Sequence, residues 1–168
     1  EDGKYRIFTT PLGLDATSSL LIEEGTQPQV NHTGDVVAFY SLRADMQGMT
    51  GFRLNDGLSP SDRSMKFTDF VEDAKDSPPS WSPQGDRLVF GSMNYGDGRS
   101  RIYVTPADGD RSVATLGYGK DPAWHPSDDV IVFNGTDETG NNPGLWLMRS
   151  DGSDRTRLTD NGNDQRPG

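Results

Sequence analysis

Short apolar runs recur along the chain, and polar turn residues separate them. The most continuous runs span residues 36–39, 88–90 and 130–133, and each is followed by a second apolar segment such as 102–104 or 145–148. Runs of this length, bounded by Gly, Pro, Asp and Asn, are typical of β-strands, and a continuous apolar run indicates burial on both faces. The pattern predicts an all-β fold.

One segment of the chain is repeated. Residues 79–90 read PSWSPQGDRLVF, residues 122–133 read PAWHPSDDVIVF, and residues 28–39 read PQVNHTGDVVAF, which is a weaker copy. The leading prolines of the three copies are separated by 51 and 43 residues. Units of four strands with a period of about 40–45 residues are the signature of β-propeller blades. We therefore predict a propeller of about three complete four-stranded blades and a half blade.

Each repeat contains residue types that suit its predicted position. A tryptophan on the short inner strand can fill the space between neighbouring repeats. Proline and glycine suit the tight turn that follows, and an Asp-Gly pair marks a later hairpin. In the copy at residues 122–133, Asp128 replaces the turn glycine. Because Asp tolerates the left-handed region, we expect this turn to be kept. The repeat residues expected to have a structural role are Trp81, Pro83, Gly85, Asp108 and Gly109 in one copy and Trp124, Pro126, Asp151 and Gly152 in the next.

The spacing divides the chain into successive blades. The predicted parts are 1–27 (the C-terminal half of a blade), 28–78 (a degenerate blade with an insertion), 79–121, 122–166, and 167–168 (the start of a further repeat). Propellers avoid open ends by radial closure. A half blade at the start therefore predicts that these residues are an arc of a larger ring, completed by the remainder of the chain or by other chains.

These repeats also resemble a known family. The segment 79–90, with the IYV of residues 102–104 and ADG of residues 107–109 downstream, is similar to the TolB-type, WD-like propeller repeat. The resemblance implies a propeller fold and a protein-interaction or scaffolding role at a periplasmic or extracellular location. It also allows a calcium ion in a central channel, whereas the residues themselves predict no cofactor.

Composition excludes several classes of protein. The chain has 26 acidic and 16 basic residues, and a net charge of −10 argues against nucleic-acid binding, which needs Lys and Arg to neutralise phosphates. Asp supplies 21 of the acids, which favours turns over helices. With no cysteine there is neither a disulfide nor a thiol nucleophile. No apolar run is long enough for a membrane span.

The sequence contains no convincing catalytic set. The two histidines, His32 and His125, both fall in the repeated turn, where a structural role accounts for them. No Gly-x-Ser-x-Gly motif is present to supply an exposed nucleophile. We predict that the chain is not an enzyme and has neither catalytic nor metal-binding residues. Two alternatives stay open: the propeller domain of a prolyl-oligopeptidase-like serine hydrolase whose catalytic domain lies outside these residues, and a glycan-binding propeller.

A partner-binding surface is predicted on the loops of one propeller face. The connections from second to third strand, and from outer strand to the next inner strand, share that face. They carry aromatic and amide side chains, which suit recognition. The predicted partner-binding residues are Asn94, Tyr95, Asp97, Tyr118, Asn141 and Asn142, and Met46 and Met49 are expected on the same loops.

Overall fold

The computed structural model of the chain describes residues 4–11, 17–54, 63–69, 77–94, 97–161 and 163–164. All regular structure in these ranges is β-strand, and the strands form antiparallel sheets in which neighbours in sequence are neighbours in space. The prediction of an all-β fold is confirmed. The described ranges contain no helix of the length and hydrophobicity that crossing a membrane requires.

The strands form one two-stranded and three four-stranded sheets. The first sheet pairs β1 (Arg6–Thr9) with β2 (Ser19–Glu23). The second contains, in spatial order, β3 (Gly25–Val30), β4 (Val36–Ser41), β5 (Gly48–Arg53) and β6 (Ser64–Lys66). The third contains β7 (Ser80–Trp81), β8 (Arg87–Asn94), β9 (Arg99–Pro106) and β10 (Ala114–Tyr118). The fourth contains β11 (Lys120–Trp124), β12 (Val130–Gly135), β13 (Gly144–Arg149) and β14 (Thr156–Arg157).

The core lies between the sheets, and successive residues of a strand serve opposite sides of it. Leu88 and Phe90 of β8 pack with residues of the second sheet, whereas Val89 packs with Ile131 and Phe133 of the fourth. All five side chains are fully buried. Because side chains alternate across a strand, a strand in the middle of such a stack must be apolar on both faces. This accounts for the continuous apolar run in the sequence.

The two tryptophans of the repeated segment both lie between sheets. Trp81 packs edge-on against Phe67, with ring centroids 6.1 Å apart, and its Nε1–H donates to the Gln29 carbonyl at 3.0 Å. Trp124 lies in the next interface, 4.8 Å from the guanidinium carbon of Arg87. Each ring therefore connects its own sheet to the neighbouring one.

The tight turns of the repeat are closed in different ways. In the turn that contains Pro83, Gly85 has φ +72° and the Ser82 hydroxyl donates to Asp86 at 2.7 Å. In the turn that contains the exposed Pro126, the His125 ring nitrogen Nδ1 instead accepts the Asp128 backbone N–H at 3.1 Å. The turn is kept as expected, but Asp128 does not adopt a positive φ, so the reason given for keeping it, a left-handed Asp, does not apply.

The Asp-Gly hairpins share one local arrangement. Asp108 accepts the backbone N–H of Asp110 at 2.9 Å, and Gly109 follows with φ +89°. Asp151 likewise accepts the backbone N–H of Ser153 at 2.9 Å, and Gly152 has φ +86°. In both hairpins the side chain of Asp satisfies a turn donor and Gly takes the conformation that other residues avoid.

Two sheets begin slightly earlier than the repeat spacing places them. β3 starts at Gly25 and β11 at Lys120, and each strand has a register irregularity that includes its repeated proline. The predicted blade boundaries themselves stay predictions. Residues 167–168 and most of the predicted insertion lie outside the described residues.

Candidate functional site

The predicted partner-binding residues fall in three connecting segments. Asp97 lies in the β8–β9 turn, Tyr118 ends β10, and Asn141 and Asn142 lie in the β12–β13 loop. Asn94 ends β8, where its backbone faces Arg99, and Tyr95 lies outside the described residues.

The two methionines expected on these loops lie elsewhere or are less exposed. Met49 is wrong as a loop residue: it belongs to β5 and is fully buried in the core between the second and third sheets. Met46 lies in the β4–β5 turn and is partly buried. In the sequence, a methionine near the end of a strand looks the same as a methionine in the adjoining loop. Whether its side chain is buried is decided by contacts with the neighbouring sheet.

Tyr118 is the centre around which the segments meet. The guanidinium carbon of Arg99 lies 3.4 Å from the centroid of the Tyr118 ring, and that of Arg101 lies 4.8 Å away. Nη2 of Arg101 also donates to the Tyr118 hydroxyl at 3.4 Å. Arg99 and Arg101 are two residues apart on β9 and therefore project from the same face of the strand, towards Tyr118 on the neighbouring β10.

Asp97 holds one of these arginines in place. Both of its carboxylate oxygens accept hydrogen bonds from Arg101, and its Oδ1 also accepts the backbone N–H of Arg99 at 3.0 Å. The backbone N–H of Arg99 and the side chain of Arg101 lower the pKa of Asp97, and the hydrogen bond to the Asp97 carboxylate raises the pKa of Arg101. Asp97 and Arg101 therefore form a charged pair that fixes the position of Arg101 beneath Tyr118.

Arg155 joins this cluster to the β12–β13 loop. Its Nη2 donates to the carbonyl oxygens of Tyr118, at 2.8 Å, and Thr136, at 3.3 Å. Its guanidinium carbon lies 4.6 Å from the Phe133 ring centroid. Burial lowers the pKa of Arg155, because the charged form loses solvation that two carbonyls only partly replace.

The β12–β13 loop is organised around Asp137. Its Oδ1 accepts the Thr139 hydroxyl at 2.7 Å, the Thr139 backbone N–H at 3.0 Å and the Asn141 backbone N–H at 2.9 Å. Its Oδ2 accepts Nδ2 of Asn142 at 2.8 Å. Asn142 has φ +54°, and its carbonyl accepts Nε1–H of Trp146 at 3.3 Å. The loop thus has a defined shape although its tip is exposed.

We name these residues the Tyr118 cluster: Asp97, Arg99, Arg101, Tyr118, Asp137, Asn141, Asn142 and Arg155. Sequence reasoning identified Asp97, Tyr118 and the two asparagines and missed the arginines and Asp137. Two arginines at alternate positions of a strand were the available signal for Arg99 and Arg101.

Asp137 predicts a pH dependence of the loop. The hydrogen bond from Thr139, with those from the Asn141 and Thr139 backbone and Asn142, lowers the pKa of Asp137 from 3.8 to about 2. A depressed folded-state pKa means that the carboxylate stabilises the fold above about pH 4, and that this contribution is lost as the pH falls towards 2. A ¹³C NMR titration of the side-chain carboxyl carbon is expected to show a midpoint near 2.

The matched variants are Asp137→Asn and Glu138→Gln. Unfolding of Asp137→Asn is expected to depend less on pH between 5 and 2 than unfolding of the wild type. Glu138→Gln, which changes the exposed neighbouring carboxylate, keeps the wild-type dependence. A midpoint near 4 for Asp137 would contradict the loop geometry.

The remaining acidic motifs are occupied by local contacts. Asp151 accepts a turn N–H, while Asp154 pairs with Arg149 at 2.7 Å and Asp160 with Arg157 at 3.0 Å. In the part of the chain that the structure describes, no three His, Asp or Glu side chains form a group that could hold a metal ion. Calcium in a central channel stays a prediction.

The histidines lie outside the Tyr118 cluster. His125 caps its turn through Ser127 and Asp128, and His32 is exposed in the β3–β4 turn. The cluster offers guanidinium, phenol and amide groups together with the carboxylates of Asp97 and Asp137, which accept hydrogen bonds within the surface.

Similarity to solved structures identifies the fold of this chain. No family model matches the sequence, and no curated protein matches it. Among solved structures, TolB from Acinetobacter baumannii matches with a TM-score of 0.65 and 17% identity, over 85% of this chain and 35% of that one. A variant of AtxE2 isopeptidase with Astexin3-dC4 bound matches with a TM-score of 0.55 and 11% identity, over 79% of this chain and 28% of that one.

The four stacked antiparallel sheets and these matches define a β-propeller module with a TolB-like fold. The resemblance to TolB-type repeats is therefore confirmed at the level of fold. The chain spans about a third of the length of the matched TolB structure.

Proposed function

We propose that the chain is a non-catalytic β-propeller module that binds a protein partner through the Tyr118 cluster. The observation that carries this proposal is the meeting of three connecting segments, from two sheets, around one tyrosine. Asp97, Asn141 and Asn142 are exposed there, and Arg99 and Tyr118 are partly buried beneath them. Tyr and Arg are enriched at protein interfaces, where each offers apolar area and directed hydrogen bonds.

The internal order of the surface supports binding. Asp137 fixes the β12–β13 loop, and Asp97 fixes Arg101, before any partner arrives. A surface that is already ordered loses less conformational entropy on association. Arg155, bonded to carbonyls on both sides, keeps the loop and Tyr118 at a constant separation.

The test compares two faces of the module. The full chain is immobilised and exposed to an extract of its source cells, and bound proteins are identified, purified and rebound. A loop-face variant is expected to lose the partner: it combines Asn141→Arg with Lys120→Glu, and Lys120 is exposed at the start of β11, two residues after Tyr118. The matched control Asp110→Arg changes an exposed residue in the β9–β10 turn, and it is expected to retain the partner. Equal binding by all three proteins would overturn the proposal.

A second candidate is a propeller domain that accompanies a serine hydrolase. The observation that favours it is the isopeptidase among the structural matches. Labelling of the native, full-length protein by a fluorophosphonate, which reacts with activated serines, would support this candidate. No labelling, with a partner bound through the loop face, supports the interaction module.

We also propose that the described sheets are an arc of a larger ring. Phe8 and Leu20 face each other across β1 and β2 and are 55% and 48% exposed, whereas Ile7 and Ile22 on the other side of the sheet are buried. An apolar sheet face of this kind favours contact with a further blade. The 168-residue chain alone is therefore expected to associate in sedimentation experiments. A monomer at micromolar concentration that unfolds cooperatively would contradict the arc.

A periplasmic or extracellular location belongs to the same proposal, and the TolB-type repeat supports it. Fractionation of the source cells, with a cytoplasmic enzyme as marker, tests it.

A further inference from the structure

We infer that the Arg99 guanidinium, stacked on Tyr118, is a binding site for the carboxylate of an acidic side chain, Asp or Glu, in a partner protein. The inference rests on the proposed interaction function and names the chemistry that the Tyr118 cluster recognises.

Arg99 differs from Arg101 and Arg155 in that, among the described residues, its guanidinium makes no hydrogen bond. Arg101 is paired with Asp97, and Arg155 donates to two carbonyls. Among the described residues, no hydrogen bond or ion pair involves the side chain of Arg99, whose recorded contact is with the Tyr118 ring. This is unusual in a chain with ten more acidic than basic residues. The structure therefore holds one guanidinium in place with no hydrogen-bond acceptor in the described part of the chain, and the carboxylate of Asp97 acts on it only electrostatically.

The stacking leaves the hydrogen-bonding edge of Arg99 available. Contact with an aromatic ring covers the flat face of a guanidinium, and its five N–H donors lie in the plane of the group. A carboxylate can accept two parallel hydrogen bonds from that edge, which is the strong, directional form of the interaction. Gly140 at the loop tip lies beside Arg99 Nη2: a Cβ on Gly140 would be 3.9 Å from that atom, in van der Waals contact, so a residue with a side chain there would cover the donors more than Gly140 does.

The surrounding charges favour a monoanion. Three acids lie on the segments that meet at the cluster (Asp97, Asp137 and Glu138), and three bases other than Arg99 balance them (Arg101, Arg155 and Lys120). The charge of Arg99 is then the net charge of this surface, and a single carboxylate neutralises it, whereas a phosphate carries nearly two negative charges. The exposed setting also suits a segment of protein chain better than a small molecule, which is typically enclosed.

The experiment uses two probe peptides, acetyl-Gly-Gly-Glu-Gly-Gly-amide and its Gln counterpart, titrated into the full chain. Binding is followed by the NMR signals of Arg99 Nε–H and the Gly98 amide. The Glu peptide is expected to shift both signals in a saturable, salt-sensitive manner, and the Gln peptide is expected to bind about tenfold more weakly or not at all.

Three variants separate a recognition role from a structural one. Arg99→Gln and Arg99→Lys are each expected to weaken Glu-peptide binding about tenfold, since one removes the charge and the other the planar fork. Arg149→Gln, in an exposed pair with Asp154, is expected to bind as the wild type does. Amide spectra of each variant establish that it is folded.

The inference is overturned if the Gln peptide binds equally well, if Arg99→Gln binds the Glu peptide unchanged, or if inorganic phosphate binds more tightly than the Glu peptide. If the Glu peptide does not bind through Arg99 but a partner is still captured through the loop face, the inference is refuted and the proposed function is intact. Arg99-dependent binding without a captured partner refutes the proposed function and leaves the site.

Discussion

Replacing Phe67 with alanine is expected to lower the free energy of unfolding by about 3–5 kcal/mol. Phe67 is fully buried in the core between the second and third sheets, edge-on against Trp81. Its ring also lies against Gly51, where any Cβ would overlap it. Removing the ring leaves a cavity that the facing strands cannot close, because both are held in register by their own sheets.

Urea unfolding followed by tryptophan fluorescence measures this loss, since Trp81 is the ring that Phe67 contacts. Domains are stable by about 5–15 kcal/mol, so the loss is a large fraction of the total. The matched control is Leu158→Ala, a side chain that is 49% exposed, with an expected change of about 0.5 kcal/mol or less. A loss below about 1 kcal/mol for Phe67→Ala would show that the two sheets are not packed as described.

Gly119→Ala is expected to destabilise the fold by about 2–5 kcal/mol and to disturb the Tyr118 cluster. Gly119 lies between β10 and β11 with φ +156°, which side chains rarely adopt. A Cβ there would lie 2.6 Å from Cδ2 of Phe133 and 2.7 Å from Cδ1 of Ile102, both fully buried. The chain must therefore shift at the residue that follows Tyr118.

Gly85→Ala separates the two causes of this loss of stability, which are the backbone conformation and the steric overlap of the added Cβ. Gly85 also has a positive φ, +72°, but nothing lies within 4 Å of its Cβ position, so only the conformational cost, about 1 kcal/mol, is expected. Chemical denaturation gives the stability of each variant, and NMR chemical shifts of Arg99 and Tyr118 report the cluster. Equal losses in the two variants would contradict the close packing at Gly119.

Much of the fold could be predicted from local sequence. The repeated segment gave the positions of β8 and β12, and the apolar runs in them had to be buried on both faces. Gly85, Asp108 and Asp151 occur in the turns for reasons that act within a few residues. The turn in the copy at residues 122–133 was less predictable. It has no glycine with a positive φ, and the ring nitrogen of His125 accepts backbone N–H groups of the turn instead.

The site could be predicted only in part. Asp97, Tyr118, Asn141 and Asn142 could be placed on loops from the spacing of strands alone. Their function depends on residues that the same reasoning overlooked. Asp137 reads as one more turn acid in a chain rich in Asp, yet its carboxylate accepts four hydrogen bonds and determines the shape of the loop.

By itself, the sequence determined that this chain is a series of short strands with a propeller period, because strand alternation and turn chemistry act over a few residues. The tertiary structure alone decided that Met49 is buried and that, among the described residues, the guanidinium of Arg99 makes no hydrogen bond, whereas those of Arg101 and Arg155 do. Those outcomes depend on hydrogen-bond register between strands and on contact between sheets, which bring together residues far apart in the chain. A one-residue change of register would move every side chain of β9 to the other face.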